Sequence, residues 1–100
     1  MSAGRVLVVD DEAIARENLA HALTRAGYEA LAVADSRAAL AELAKIPYDL
    51  LLTDLRLGEG SELDGIGLME RARKLHPALE AVVMTGYATV PGAVAAMIPR

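Results

Sequence analysis

Apolar positions come in blocks whose period switches along the chain. Residues 5–9, Arg-Val-Leu-Val-Val, are a continuous apolar run rich in β-branched side chains. Without alternation, that run predicts a strand buried on both faces. Over 12–26 the period becomes helical, with Ala15, Leu19, Ala22, Leu23 and Ala26 on one stripe and Arg16, Glu17 and Arg25 off it. Asp11 is placed to cap this helix, and Gly27 supplies a left-handed stop.

The cycle repeats. Residues 29–33 predict a second, weaker strand. Asp35 or Ser36 then caps a helix over 37–45, with Leu40, Leu43 and Ala44 inward and Pro47 ending it. Residues 49–53, Asp-Leu-Leu-Leu-Thr, predict a third strand running into Asp54, followed by a Gly-rich, acidic loop at 56–64. A third helix is expected over 65–76, with Leu68, Met69, Ala72 and Leu75 inward and Pro77 closing it. Residues 80–84 predict a fourth strand ending at Thr85, after which Thr89 and Pro91 open a short fourth helical segment. Strands alternating with helices imply right-handed crossovers, hence an α/β fold of four units: a parallel sheet with helices on both faces.

Composition narrows the function. One hundred residues fit one domain, 1–100, and 54% hydrophobic content is enough for a core. A net charge of -4 argues against nucleic-acid binding, which needs a basic stripe to displace counterions. With no cysteine there is neither a disulfide framework nor a thiolate metal site, which fits a cytoplasmic setting. Asp10 and Asp11 interrupt the Val6–Val9 run far short of a signal-peptide core, and no membrane span is expected.

Ligands of open α/β sheets bind beyond the carboxyl ends of the strands. Asp10 and Asp11 follow the first strand, Asp54 the third, and Thr85 with Gly86 the fourth. Each alone reads as a turn, a cap or a satisfied hydroxyl; their joint placement at matching strand ends is more specific. Crowded carboxylates call for a cation, and hard oxygen ligands suit Mg2+. A neutralised site would let a phosphoryl group approach Asp54, which can then act as the nucleophile.

With those residues in place, the chain resembles the receiver domain of bacterial two-component response regulators. The segments that carry the resemblance are Val-Leu-Val-Val-Asp-Asp-Glu (6–12), Tyr-Asp-Leu-Leu-Leu-Thr-Asp-Leu-Arg-Leu (48–57), Asp-Gly (64–65) and Val-Val-Met-Thr-Gly-Tyr-Ala-Thr-Val (82–90). The resemblance implies a flavodoxin-like (CheY-like) fold with strand order 2-1-3-4. It implies Asp54 as phosphoacceptor from a sensor histidine kinase or phosphotransfer protein. It also implies Mg2+ held by Asp10, Asp11, Asp54 and the backbone carbonyl of Arg56, with Thr85 as the switch hydroxyl and Gly86 keeping access open. The 84–90 string is similar to receivers of enhancer-binding transcription activators.

Against that family pattern the sequence departs in two places. The fifth strand and helix, with their lysine and aromatic switch residue, have no counterpart here; Lys45 and Lys74 follow no fifth strand. On that ground switching is expected to be weak, and self-association is expected through the fourth-strand edge or the first-helix face. The second departure is the loop after Asp54, where Gly58 stands in place of the family's proline and Gly-Glu-Gly-Ser-Glu-Leu lengthens the path. A mobile surface loop is expected there, the alternative being a loop that tunes metal affinity or phosphate lifetime, with Arg56 and Tyr87 flanking the acceptor. His21 and His76 read as surface helix residues.

The reading is therefore a phosphoacceptor signalling module, not a turnover enzyme. Its rival is a non-switching receiver that acts only in binding or dimerisation. A Mg2+-dependent phosphohydrolase is disfavoured, because such enzymes place Asp-x-Asp after the first strand.

Overall fold

The computed structural model describes residues 3–58 and 61–84. The expectations for Thr85, Gly86, Tyr87 and the helical segment opened by Thr89 and Pro91 lie outside these residues. In chain order the elements are β1 (Arg5–Val9), α1 (Ala13–Arg25), β2 (Glu29–Val33), α2 (Ser36–Lys45), β3 (Leu50–Asp54), α3 (Gly65–Leu75) and β4 (Glu80–Met84). The described strands form one parallel sheet in the order β2-β1-β3-β4. This is the expected topology, with β1 and β3 central.

The apolar run of β1 divides between two cores. Leu7 and Val9 face a cluster containing Leu51, Ala39 and Leu43 of α2, and Leu68 and Ala72 of α3. Val6 and Val8 face the other side, with Leu52, Met84, and Leu19 and Leu23 of α1. A strand sandwiched between helical layers must be apolar at every position, which is why β1 lacks alternation.

The helix ends follow from local chemistry. Gly27, at φ 99°, closes α1. Its N–H donates to Thr24 O at 3.1 Å and the Tyr28 N–H to Leu23 O at 3.0 Å, so two terminal carbonyls are satisfied. Asp35 caps α2, accepting the Ala38 N–H at 2.8 Å, which decides between Asp35 and Ser36. Asp64 caps α3 in the same way, accepting the Gly67 N–H at 2.8 Å.

Asp11 does not cap α1. The N-cap is Glu12, which makes no side-chain cap, while its own N–H donates to the Asp10 carboxylate at 2.9 Å. The helix stripes are also narrower than expected. Ala22, Ala26 and Ala44 are exposed, since one methyl neither requires nor marks burial. Leu75 is 50% exposed. Next to it, half-buried His76 places Nε2 2.8 Å from the Leu43 carbonyl of α2. A carbonyl only accepts, so Nε2 carries the proton. His76 thus joins the ends of α2 and α3 and is not a plain surface residue; His21 is exposed, as expected.

At the opposite end of the sheet from Asp54, Tyr48 is buried and donates its hydroxyl to Glu42 Oε1 at 3.0 Å. Burial, then the Glu42 carboxylate, pushes its phenol up to about 12.

Candidate functional site

Strand register brings the acidic residues together. Val9 of β1 lies beside Thr53 of β3, so the next residues, Asp10 and Asp54, emerge on adjacent strand ends. The Asp10 N–H donates to Val33 O at 3.1 Å, continuing the β1–β2 ladder past the strand. Arg16 Nη1 donates to the Asp10 carbonyl at 2.9 Å and ties the turn to the first helix. Across the sheet, Asp54 lies beside Met84, and the Leu55 N–H donates to Met84 O at 2.8 Å.

Asp10, Asp11 and Asp54 each offer a carboxylate oxygen, and these oxygens lie within 4.8 Å of one another. Asp10 is 5% exposed, Asp54 intermediate and Asp11 open to solvent. Burial raises the Asp54 carboxyl above its usual range, and the Asp10 charge adds to that. The Arg56 and Leu55 backbone N–H groups oppose the shift, and Asp11 adds a smaller push upward. The arrangement concentrates negative charge on hard oxygen ligands, from a buried anchor to a solvent-facing rim. The donor set fits a divalent cation that retains waters.

Two glycines make this packing possible. A Cβ on Gly65 would overlap the Asp54 carbonyl oxygen and come within 2.9 Å of Leu55 Cα. The Gly65 N–H donates to Leu55 O at 2.8 Å, so the start of α3 lies directly against the end of β3. Gly58, at φ 79°, is backed against the Asp11 carboxylate; a Cβ there would come within 2.7 Å of Oδ2. A proline at 58, fixed near φ −65°, could not adopt this conformation.

The family model for the response regulator receiver domain matches residues 6–99. The chain belongs to the response regulator receiver family. A response regulator of Rickettsia bellii described as NtrX-like is 36% identical over 97 residues, covering 97% of this chain and 20% of that protein. The response regulator receiver protein CpdR of Brucella abortus is 36% identical over 86 residues, covering 86% of this chain and 69% of CpdR. The crystal structure of the receiver domain of NtrX from Brucella abortus superposes with a TM-score of 0.77 at 36% identity, covering 92% of this chain and 76% of that one. The CheY-like fold expected from the sequence is thereby established. The receiver spans about a fifth of the length of the NtrX-like relatives it matches.

Of the expected site residues, Asp10, Asp11 and Asp54 converge. The Arg56 side chain is exposed, and its backbone N–H is among the groups that favour the ionised Asp54 carboxylate. Thr85 lies outside the described residues, one position after Met84. Among the described residues no helix is long and apolar enough to cross a membrane. The sequence reading missed the contacts of Gly58 and Gly65 with the site. The Asp-Gly pair and the glycine at the proline position were visible signals, but the atoms they meet lie at or just past the ends of β1 and β3.

Proposed function

We propose that this receiver takes a phosphoryl group from a phosphohistidine of a sensor histidine kinase, or of a phosphotransfer protein, onto Asp54. The convergence of the Asp10, Asp11 and Asp54 carboxylates at the carboxyl end of the central strands carries this reading. Asp10 and Asp11 would hold Mg2+ together with Asp54 and the Arg56 backbone carbonyl. Bound there, the ion supplies positive charge that offsets both the carboxylates and the incoming phosphoryl oxygens.

The chain's own residues supply the rest. Asp10, buried and bonded to the Glu12 N–H, is a fixed anchor. The Leu55 and Arg56 N–H groups favour the ionised form of the Asp54 carboxylate. An ionised Asp54 oxygen attacks phosphorus in line; the P–N bond breaks, its electron pair leaves on the imidazole, and an acyl phosphate remains. Thr85 is assigned to the phosphoryl oxygens as the switch hydroxyl. Self-phosphorylation and autodephosphorylation are the most catalysis this reading requires. The added charge of about -1.5 to -2 would then bias the rim between two states.

Incubation with Mg2+ and acetyl phosphate, followed by intact mass spectrometry, tests the proposal. A stoichiometric gain of one phosphoryl group, abolished by Asp54→Ala, is expected. No gain in the wild-type chain would favour the rival binding-module reading. The same reading includes self-association through the β4 margin or the α1 face, where Ile14 is 74% exposed. A concentration-independent monomer in light scattering would count against that part.

A further inference from the structure

In the segment expected as a mobile loop between β3 and α3, described residues on both sides of Gly58 are held in place. Before it, Leu57 is 3% exposed and belongs to the core shared by α2 and α3. After it, Ser61 reaches the start of α2, twenty-five positions away in sequence. The Ser36 N–H donates to Ser61 Oγ at 3.0 Å, and the two hydroxyls lie 2.9 Å apart. Ser61 Oγ donates to Leu63 O at 2.8 Å, and the Leu63 N–H donates to Ser36 Oγ at 3.3 Å.

One Ser61 proton cannot serve two acceptors. With that proton on Leu63 O, the Ser36 hydroxyl donates to Ser61 Oγ and every contact is satisfied. Ser36 is 1% exposed, so its hydroxyl needs these partners. The Ser36 N–H is also one of the α2 donors without an intrahelical acceptor, and Ser61 supplies the missing oxygen. The nearby Arg37–Glu62 pair at 3.2 Å is solvent-exposed and adds little.

From this latch the backbone leads back to the acidic site. The Ser61 N–H donates to Gly58 O at 3.3 Å, and Gly58 rests against the Asp11 carboxylate. Asp11 is the most exposed of the three acids, while Asp10 is buried and holds the Glu12 N–H. We infer that Ser36 and Ser61 are positioning residues for the acidic site: their hydroxyl pair holds Gly58 as a wall against Asp11 and so sets where that carboxylate can point. The inference rests on the proposed Mg2+ role of the same acids. It favours a tuning loop over a merely mobile one.

Calorimetric titration of the whole chain with Mg2+ tests it, with melting curves recorded in parallel. Ser61→Ala should raise the Mg2+ dissociation constant by about tenfold, the scale of lost outer-shell support. Ser61→Thr, which keeps the hydroxyl, should restore it. Gly58→Ala, with both serines intact, should weaken binding from the other end by intruding on Asp11. Arg37→Ala should leave the affinity unchanged. Wild-type affinity in S61A alongside a lowered melting temperature would overturn the inference, making the latch purely structural, and so would failure of Ser61→Thr to rescue. Absence of Mg2+ binding by the wild-type chain would instead defeat the reading of the acidic site itself, and the inference with it.

Discussion

Replacing Asp54 with asparagine removes one charge from the cluster while keeping the shape of the side chain. The three carboxylate oxygens lie within 4.8 Å of one another. At that separation two unit charges repel by about 1 kcal/mol in a water-like dielectric, and by several-fold more in a protein-like one. Partial exposure of Asp54 argues for the lower figure. Without divalent ions, D54N should therefore be more stable than wild type by about 1–2 kcal/mol. For a domain of this size, each kcal/mol is worth roughly 4–8 °C in melting temperature.

The pH dependence has a definite sign. The folded Asp54 carboxyl titrates above its ordinary value of 3.8. Its favourable contribution is thus complete below that value and is lost as pH rises through the raised folded one. The stability gap between D54N and wild type should open over that rise and close in acid. Mg2+ should narrow it too, since a ligand at 100 times its dissociation constant stabilises wild type by about 2.7 kcal/mol. Differential scanning calorimetry across pH, with and without Mg2+, reads all of this. A D54N chain less stable than wild type at neutral pH in chelator would refute the argument from charge crowding.

Gly65→Ala should be costly, by about 1–3 kcal/mol or more, because its methyl would meet the Asp54 backbone, which cannot swing aside as a flexible side chain would; urea denaturation measures it. Leu52→Ala, in the core between β3 and α1, should cost about 2–5 kcal/mol with little change in the denaturant slope. Tyr48 should ionise near 12, not 10, in ultraviolet titration, and Tyr48→Phe should remove that late phase. Its contribution to stability is complete below pH 10 and declines as pH climbs through the folded value.

The fold was legible because its signals are local. The unbroken run at 6–9, the glycine at 27 and the acid at 35 each act within a few residues of themselves. The three acids were legible for a different reason: a parallel sheet puts consecutive strand ends on one rim, so topology carried them together. Where sequence reading failed, the deciding partner was remote or ambiguous. Asp11 looked like a cap, but the helix begins one residue later, with Glu12 at the N-cap position and its N–H held by Asp10. Ala22, Ala26 and Ala44 fitted helical stripes that the actual contact seams do not fill. The Ser36–Ser61 pair joins positions twenty-five apart with no periodicity to announce it.

Because β1 is greasy toward both helical layers, sliding it by a single place would swap Val6–Val9 between layers at little hydrophobic cost. Hydrophobicity alone therefore sets a weak frame for the central strand. The frame is fixed at its tips: the Arg5 N–H is caught by the Asp49 carboxylate at 2.7 Å, and the Asp10 N–H by Val33 O at 3.1 Å. A slipped strand would drag Asp10 into the oily layer or Arg5 off its tether. Asp10, buried at the tip of β1, thus acts as the detent that tells the sheet where to stop.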